Sequence, residues 1–144
     1  MSKGLPQDSL GFLVADLARR MRSAFALHLE GSGLTLAQAR ALLYVARHEG
    51  MRQVELAELL EVQPITLARL IDQLQQLGLV ERRADPKDGR AYRIVLTPAS
   101  GPHLVTIERV ASVIRKQSLR GIGQAEAALV ASALHRMRKN LAAS

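Results

Sequence analysis

The segment that most restricts the fold runs from Gln53 to Thr97. "QVELAELL" carries Val54, Leu56, Ala57, Leu59 and Leu60 at helical spacing. "PITLARLIDQLQQLG" carries Ile65, Leu67, Leu70, Ile71, Leu74 and Leu77 in the same way. Only Glu61, Val62 and Gln63 stand between them. Pro64 suits the first position of a helix, where a missing N–H costs nothing, and Gly78 suits a left-handed C-cap. Two short helices joined by so short a turn make either a plain αα-corner or a helix-turn-helix. Ala57 is small enough for a close crossing, and Val62 is the apolar plug of the turn.

The residues beyond Gly78 favour the helix-turn-helix. Leu79-Val80-Glu81-Arg82-Arg83 reads as a short strand. Tyr92, Ile94 and Leu96 fall on one face of a second strand, and Arg93, Val95 and Thr97 on the other. Between the strands, "ADPKDGRA" supplies the turn residues. A helix-turn-helix running straight into a β-hairpin predicts a winged helix over residues 35–97, with a basic wing. Gly89 is expected to bend the wing tip and to allow close approach of a partner. Asp88 is expected to hold the Arg90 guanidinium.

Helical segments flank this centre. Leu10, Leu13, Val14, Leu17, Met21, Ala24, Phe25 and His28 share one face of a first helix. Asp8 or Ser9 is its expected cap, and Gly31-Ser32-Gly33 its end. About twenty such residues span roughly 30 Å, long for so small a chain. Thr35-Leu36-Ala37-Gln38 is a capping box, and Leu36, Ala39, Leu42, Leu43 and Ala46 are the expected buried stripe behind it, stopped by Gly50. After Thr97, Leu104, Ile107, Val110 (or Ala111) and Ile114 mark a fifth helix. Ile122, Leu129, Val130, Leu134, Met137 and Leu141 mark a sixth. The fold class expected is mainly α with a small β-wing. Helices over 8–30 and 98–144 flank a central winged helix within a single 144-residue chain.

Charge narrows the function. The 20 Lys and Arg outweigh 13 Asp and Glu, a net +7, which favours a polyanionic partner such as double-stranded DNA. There is no cysteine, so disulfides, thiolate metal sites and thiol redox sensing are excluded. His28, His48, His103 and His135 show no metal-ligand spacing, and His48-Glu49 lacks the second His of a zincin motif. No metal or cofactor is expected. Neither a phosphate-binding Gly-rich loop nor a nucleophile–base motif is present, so an enzyme is not expected. No apolar run has the length of a membrane span, and the N-terminus has no signal-peptide apolar core. A cytoplasmic protein with no membrane partner is expected.

Three stretches carry a family resemblance: "LTLAQARALLYV" (34–45), "VELAELLEVQPITLARLIDQLQQLGLVERR" (54–83) and "DPKDGRAYRIVLT" (85–97). With them the chain resembles the MarR family of winged helix-turn-helix transcriptional regulators over nearly its whole length. The wing pattern Asp88-x-Arg90, followed by an alternating strand ending Leu96-Thr97, is the most specific part. The resemblance implies a homodimer paired through the first and last two helices. It also implies a roughly palindromic operator, a repressor's role, and release by a small aromatic or phenolic ligand. The sequence departs from the family pattern in four respects. Gly89 replaces a frequent arginine, Arg52 stands where Ser or Thr often caps the third helix, and Gln63 stands where Ser often begins the recognition helix. "PASGPHL" (98–104) gives the fifth helix an irregular start.

In a helix-turn-helix, the N-terminal residues of the second helix meet the base edges. That selects Gln63, Pro64, Ile65 and Thr66: Gln can bond adenine, and Thr or an apolar side chain can touch the thymine methyl. Arg69, one turn on, reaches a guanine or a phosphate, or else pairs with Asp72 or Asp88. Arg90 is the wing residue for the minor groove. Lys87, Arg82, Arg83 and Arg93 are candidate phosphate contacts, and Gln73 at most touches phosphate. His28 and Tyr44 are candidate effector contacts, with core or interface packing as the competing reading. A constitutive or architectural DNA-binding protein without an effector remains the alternative function.

Overall fold

The structure, a computed structural model, describes residues 9–142. Six helices and one hairpin succeed one another: α1 (Leu10–His28), α2 (Leu36–Arg47), α3 (Gln53–Leu60), α4 (Pro64–Gln76), β1 (Val80–Ala84), β2 (Tyr92–Leu96), α5 (Gly101–Ser118) and α6 (Gln124–Ala142). The chain forms two compact units, Met1–Ala111 and Ser112–Ser144. The mainly helical fold with a two-stranded wing is the one expected.

Local chemistry accounts for most boundaries. Ser9 occupies the N-cap of α1 but makes no side-chain cap bond, and Asp8 lies outside the described residues. At α2 the capping box is complete: Thr35 Oγ1 accepts from Gln38 N at 3.1 Å, and Gln38 Oε1 accepts from Thr35 N at 3.0 Å. The turn between α3 and α4 is a Schellman closure. Val62 N–H donates to Ala57 O and Glu61 N–H to Glu58 O, both at 3.1 Å. This puts Glu61 at φ 56°, a left-handed conformation that an L side chain resists. Pro64 opens α4, and Gly78, at φ 77°, comes directly after its C-cap. As expected from "PASGPHL", α5 is entered irregularly, through a 3-10 turn over Pro98–Ser100.

The winged helix is held by a core of Leu42, Val45, Leu56, Leu67, Ile71, Leu74, Leu79, Val80 and Ile94, all nearly solvent-free. Each such burial contributes about 1.5–3 kcal/mol. Helix α2 packs on α3, α4 and β2, and α4 packs on α3 and β1. The hairpin is antiparallel, with Val80 opposite Leu96 and Ala84 opposite Tyr92. A third edge joins it: Gly50 N–H donates to Ile94 O at 2.9 Å, Ile94 N–H donates to Met51 O at 3.1 Å, and Arg52 bridges to Arg93.

Several expected stripes differ from those observed. On α2 the buried residues are Ala39, Ala41, Leu42 and Val45, whereas Leu36, Leu43 and Ala46 are only half-buried. The helix has partners on more than one side, which turns its most buried line away from the expected one. Val54 and Leu59 of α3, Ile65 of α4, and Leu77 are exposed. Tyr92 is also exposed, although it shares a strand face with buried Ile94, because it lies at the wing end of the hairpin. Neither α1 nor α6 has a single buried residue.

Candidate nucleic-acid interface

The recognition helix presents its start to solvent. Gln63 is the N-cap residue of α4 in an extended conformation, with no side-chain cap bond. Pro64, Thr66 and Arg69 are exposed, and Ile65 is 64% exposed. An isoleucine left in water at the mouth of a helix has no packing role there. Arg69 pairs with neither expected acid. Asp72 accepts from Arg82 Nη1 at 2.7 Å, and Asp88 lies 3.8 Å from Arg52 Nη2. Gln73 is tied back to α2, its Oε1 accepting from Gln38 Nε2 at 2.9 Å.

The wing is built on a buried carboxylate that sequence reasoning missed. Asp85 is 4% exposed. Its Oδ2 accepts from Arg52 Nε at 2.8 Å and from Arg93 Nε at 3.3 Å, and its Oδ1 accepts from Lys87 N at 2.8 Å. The Arg52 guanidinium and then the Lys87 amide hold this carboxyl well below the usual carboxylate range, against the opposing effect of its desolvation. Reciprocally, the bond to Asp85 raises the pKa of Arg52. The adjacent Asp85-Pro86 pair is a turn-initiating signal. It foretells the Asx-type turn, but not the burial.

These contacts correct two expectations and show where three of the candidate phosphate contacts are engaged. Asp88 holds the Arg90 backbone amide, through Oδ1 at 3.0 Å, and not its guanidinium. Gly89 has no positive φ and no close neighbour, so the tip does not require glycine; the two aspartate turns shape it. Arg82, a candidate phosphate contact, is engaged within the fold. It donates to Gln53 Oε1 (3.0 Å), Gln75 Oε1 (2.9 Å) and Ala68 O (3.0 Å) as well as pairing with Asp72. Arg93 is engaged by Asp85, and Arg83 pairs with Glu81 at 3.4 Å. The side chains of Lys87 and Arg90 are exposed and make no ion pair among the described residues.

A sequence profile described as the MarR family matches residues 32–91, the segment from the start of the second helix to the wing. The solved structure of a transcriptional regulator, PA3341, is 39% identical, with a TM-score of 0.81, covering 94% of this chain and all (100%) of its own. The chain belongs to the MarR family. MarR itself aligns at 27% identity and a TM-score of 0.83 over 99% of this chain and 95% of its own. A MarR transcriptional regulator from Methanosarcina mazei Go1 aligns at 25% identity and 0.81 over 91% and 94%.

Within this MarR-family frame a second feature stands apart from the wing. A groove of about 160 Å³ runs between α1 and α2, lined by Met21 and Phe25 on one side and by Leu36, Ala39, Leu43 and Tyr44 on the other. Arg22 and Arg40 also line it, and neither makes an ion pair among the described residues. Tyr44 thus lies in the groove, its ring 6.3 Å from that of His48. His28 is exposed and is not among the lining residues. No group of three or more potential metal ligands occurs among the described residues, and no described helix is long and apolar enough to cross a membrane.

Proposed function

We propose that this MarR-family chain is a sequence-specific, homodimeric transcriptional repressor of a palindromic operator, released by a small aromatic ligand. The observation that carries the reading is the pairing of an exposed, side-chain-uncapped start of α4 with a wing whose Lys87 and Arg90 are unpaired. In this reading Gln63, Pro64, Ile65, Thr66 and Arg69 meet the major groove, Arg90 the minor groove, and Lys87 a phosphate. The winged helix over 35–97 is the DNA-binding region, and the helices over 8–30 and 98–144 pair two subunits.

The apolar faces of the outer helices support the dimer. Leu10, Leu13 and Leu17 recur along α1, and Leu129, Val130 and Leu134 along α6, each at least 44% exposed. Such stripes call for a cover, and a second copy supplies one while presenting two recognition helices about 34–36 Å apart. The α1/α2 groove supports the ligand: an apolar slot beside Arg22 and Arg40 suits a small aromatic acid or phenol, with Tyr44 as a contact. Its release of DNA requires tighter binding to the non-DNA-binding state, by about 1–3 kcal/mol for a typical coupling. Selection of bound genomic fragments, then challenge of the winning duplex with aromatic acids, tests the whole reading. A preferred palindrome released by such a compound supports it. Equal retention of all fragments favours an architectural protein instead.

A further inference from the structure

Between the start of the recognition helix and the wing lies a notch of about 190 Å³. Arg52 at the N-cap of α3, Gln53 and Val54 of α3, Pro64 of α4, and Arg90 and Tyr92 line it. Tyr92 is 49% exposed, and its hydroxyl has no hydrogen-bond partner among the described residues. Gln53 Oε1 accepts from Arg82 Nε at 3.0 Å. A guanidinium only donates, so this contact decides which end of the Gln53 amide is oxygen. The remaining Nε2 is a donor with no partner among the described residues. The nearby acids Asp85 and Asp88 are both engaged by Arg52.

We propose that this notch seats one phosphodiester of bound DNA, held by the Tyr92 hydroxyl and Gln53 Nε2 as neutral donors. The inference rests on the DNA-binding function proposed for the chain. A helix in a major groove and a wing in the neighbouring minor groove are separated by one sugar–phosphate strand, and that strand must cross the gap between the two elements. The notch is that gap, with Pro64 at the mouth of the helix and Arg90 on the wing. It offers the strand two donors, and the exposed Val54 side chain offers an apolar surface for a deoxyribose. Arg82 is then a positioning residue: it orients the Gln53 amide and touches no DNA.

Neutral donors leave a signature that arginines do not. They strengthen binding on every sequence without releasing counterions, so their removal leaves the salt slope unchanged. Tyr92→Phe deletes one oxygen on an exposed ring and is expected to weaken binding about tenfold, the loss typical of a hydrogen bond to a charged group. The loss should be equal on operator and scrambled duplexes, at an unaltered slope of log affinity against log salt. Gln53→Glu keeps an acceptor for Arg82 but turns a negative oxygen toward the phosphate, and should cost more than Tyr92→Phe. Thermal melts of both variants, matching the wild type, establish that the fold is intact. Wild-type protein that binds no duplex overturns the DNA-binding reading and the notch with it. Wild-type binding that both variants retain in full overturns the notch alone, as does a loss confined to the operator, which would assign Tyr92 to a base.

Discussion

Asp85 at the root of the wing and Arg52 at the N-cap of α3 meet at 2.8 Å across 33 residues of chain, with the carboxylate almost wholly out of water. This contact joins the wing to the helix-turn-helix. Arg52 makes no side-chain cap bond to α3; its guanidinium goes to the wing instead.

Asp85→Asn should lower the thermal midpoint and weaken operator binding together, because a neutral amide loses the charge that faces both arginines and can no longer accept from both them and the Lys87 N–H. The pH dependence has a definite sign. The folded-state pKa is depressed, so the unfolded chain binds more protons in the acid range, and stability rises with pH there. The contribution is complete above the ordinary carboxylate pKa of about 3.9 and is lost as pH falls below it. Thermal melts from pH 7 to 2.5 should show an acid limb that Asp85→Asn makes shallower. Parallel curves would rule the contact out as a source of stability.

Two arginines eight residues apart should respond in opposite ways. Arg90→Ala should weaken operator binding by roughly 1–3 kcal/mol and leave the melting temperature unchanged, since the side chain is exposed and unpaired. Arg82→Ala should instead destabilise the fold by about 1–3 kcal/mol, because it strands the Ala68 carbonyl and the side-chain acceptors around it. Urea melts paired with mobility-shift titrations at fixed salt distinguish the two.

Base reading and phosphate binding should separate along the chain. Gln63→Ala and Thr66→Ala should narrow the affinity gap between operator and scrambled duplexes. Lys87→Ala should reduce both affinities alike and flatten the salt slope by about one unit. If Lys87→Ala changes base preference and Gln63→Ala does not, the two elements have been assigned to the wrong parts of the duplex.

Glu61 is the one non-glycine residue with positive φ among those described, and it is exposed. Glu61→Gly should therefore stabilise the protein by about 0.5–1 kcal/mol, the relief of left-handed strain less the added freedom of the unfolded chain. A urea midpoint that moves down would show that the side chain has a role the turn geometry does not reveal.

Leu17→Glu places a charge in the middle of the uncovered α1 face, where the leucine is 49% exposed. The subunit should stay folded, with an unchanged circular dichroism spectrum, and sediment as a monomer at micromolar concentration with operator binding lost. A variant that remains dimeric would remove this face from the interface.

Local rules made the elements legible in the sequence. Thr35 and Gln38 spell a capping box, Pro64 begins a helix, Gly78 ends one, and the alternation from Tyr92 to Leu96 is a strand; each depends on residues within a few positions of one another. The same patterns placed the exposed start of α4 and the basic wing. Only tertiary structure decided which apolar side chains lie inside: Leu56 and Leu59 stand three apart on one side of α3, yet one is fully buried and the other is 43% exposed. Periodicity marks a face, but the neighbouring elements determine how much of it is covered. Tertiary structure also sorted the charges. Arg82, Arg90 and Arg93 all read as candidate DNA contacts in sequence, yet Arg82 and Arg93 are engaged within the fold and Arg90 makes no ion pair among the described residues. That sorting depends on which acid, amide or carbonyl the folded chain brings within about 3 Å, a distance between segments far apart in sequence that no local pattern encodes.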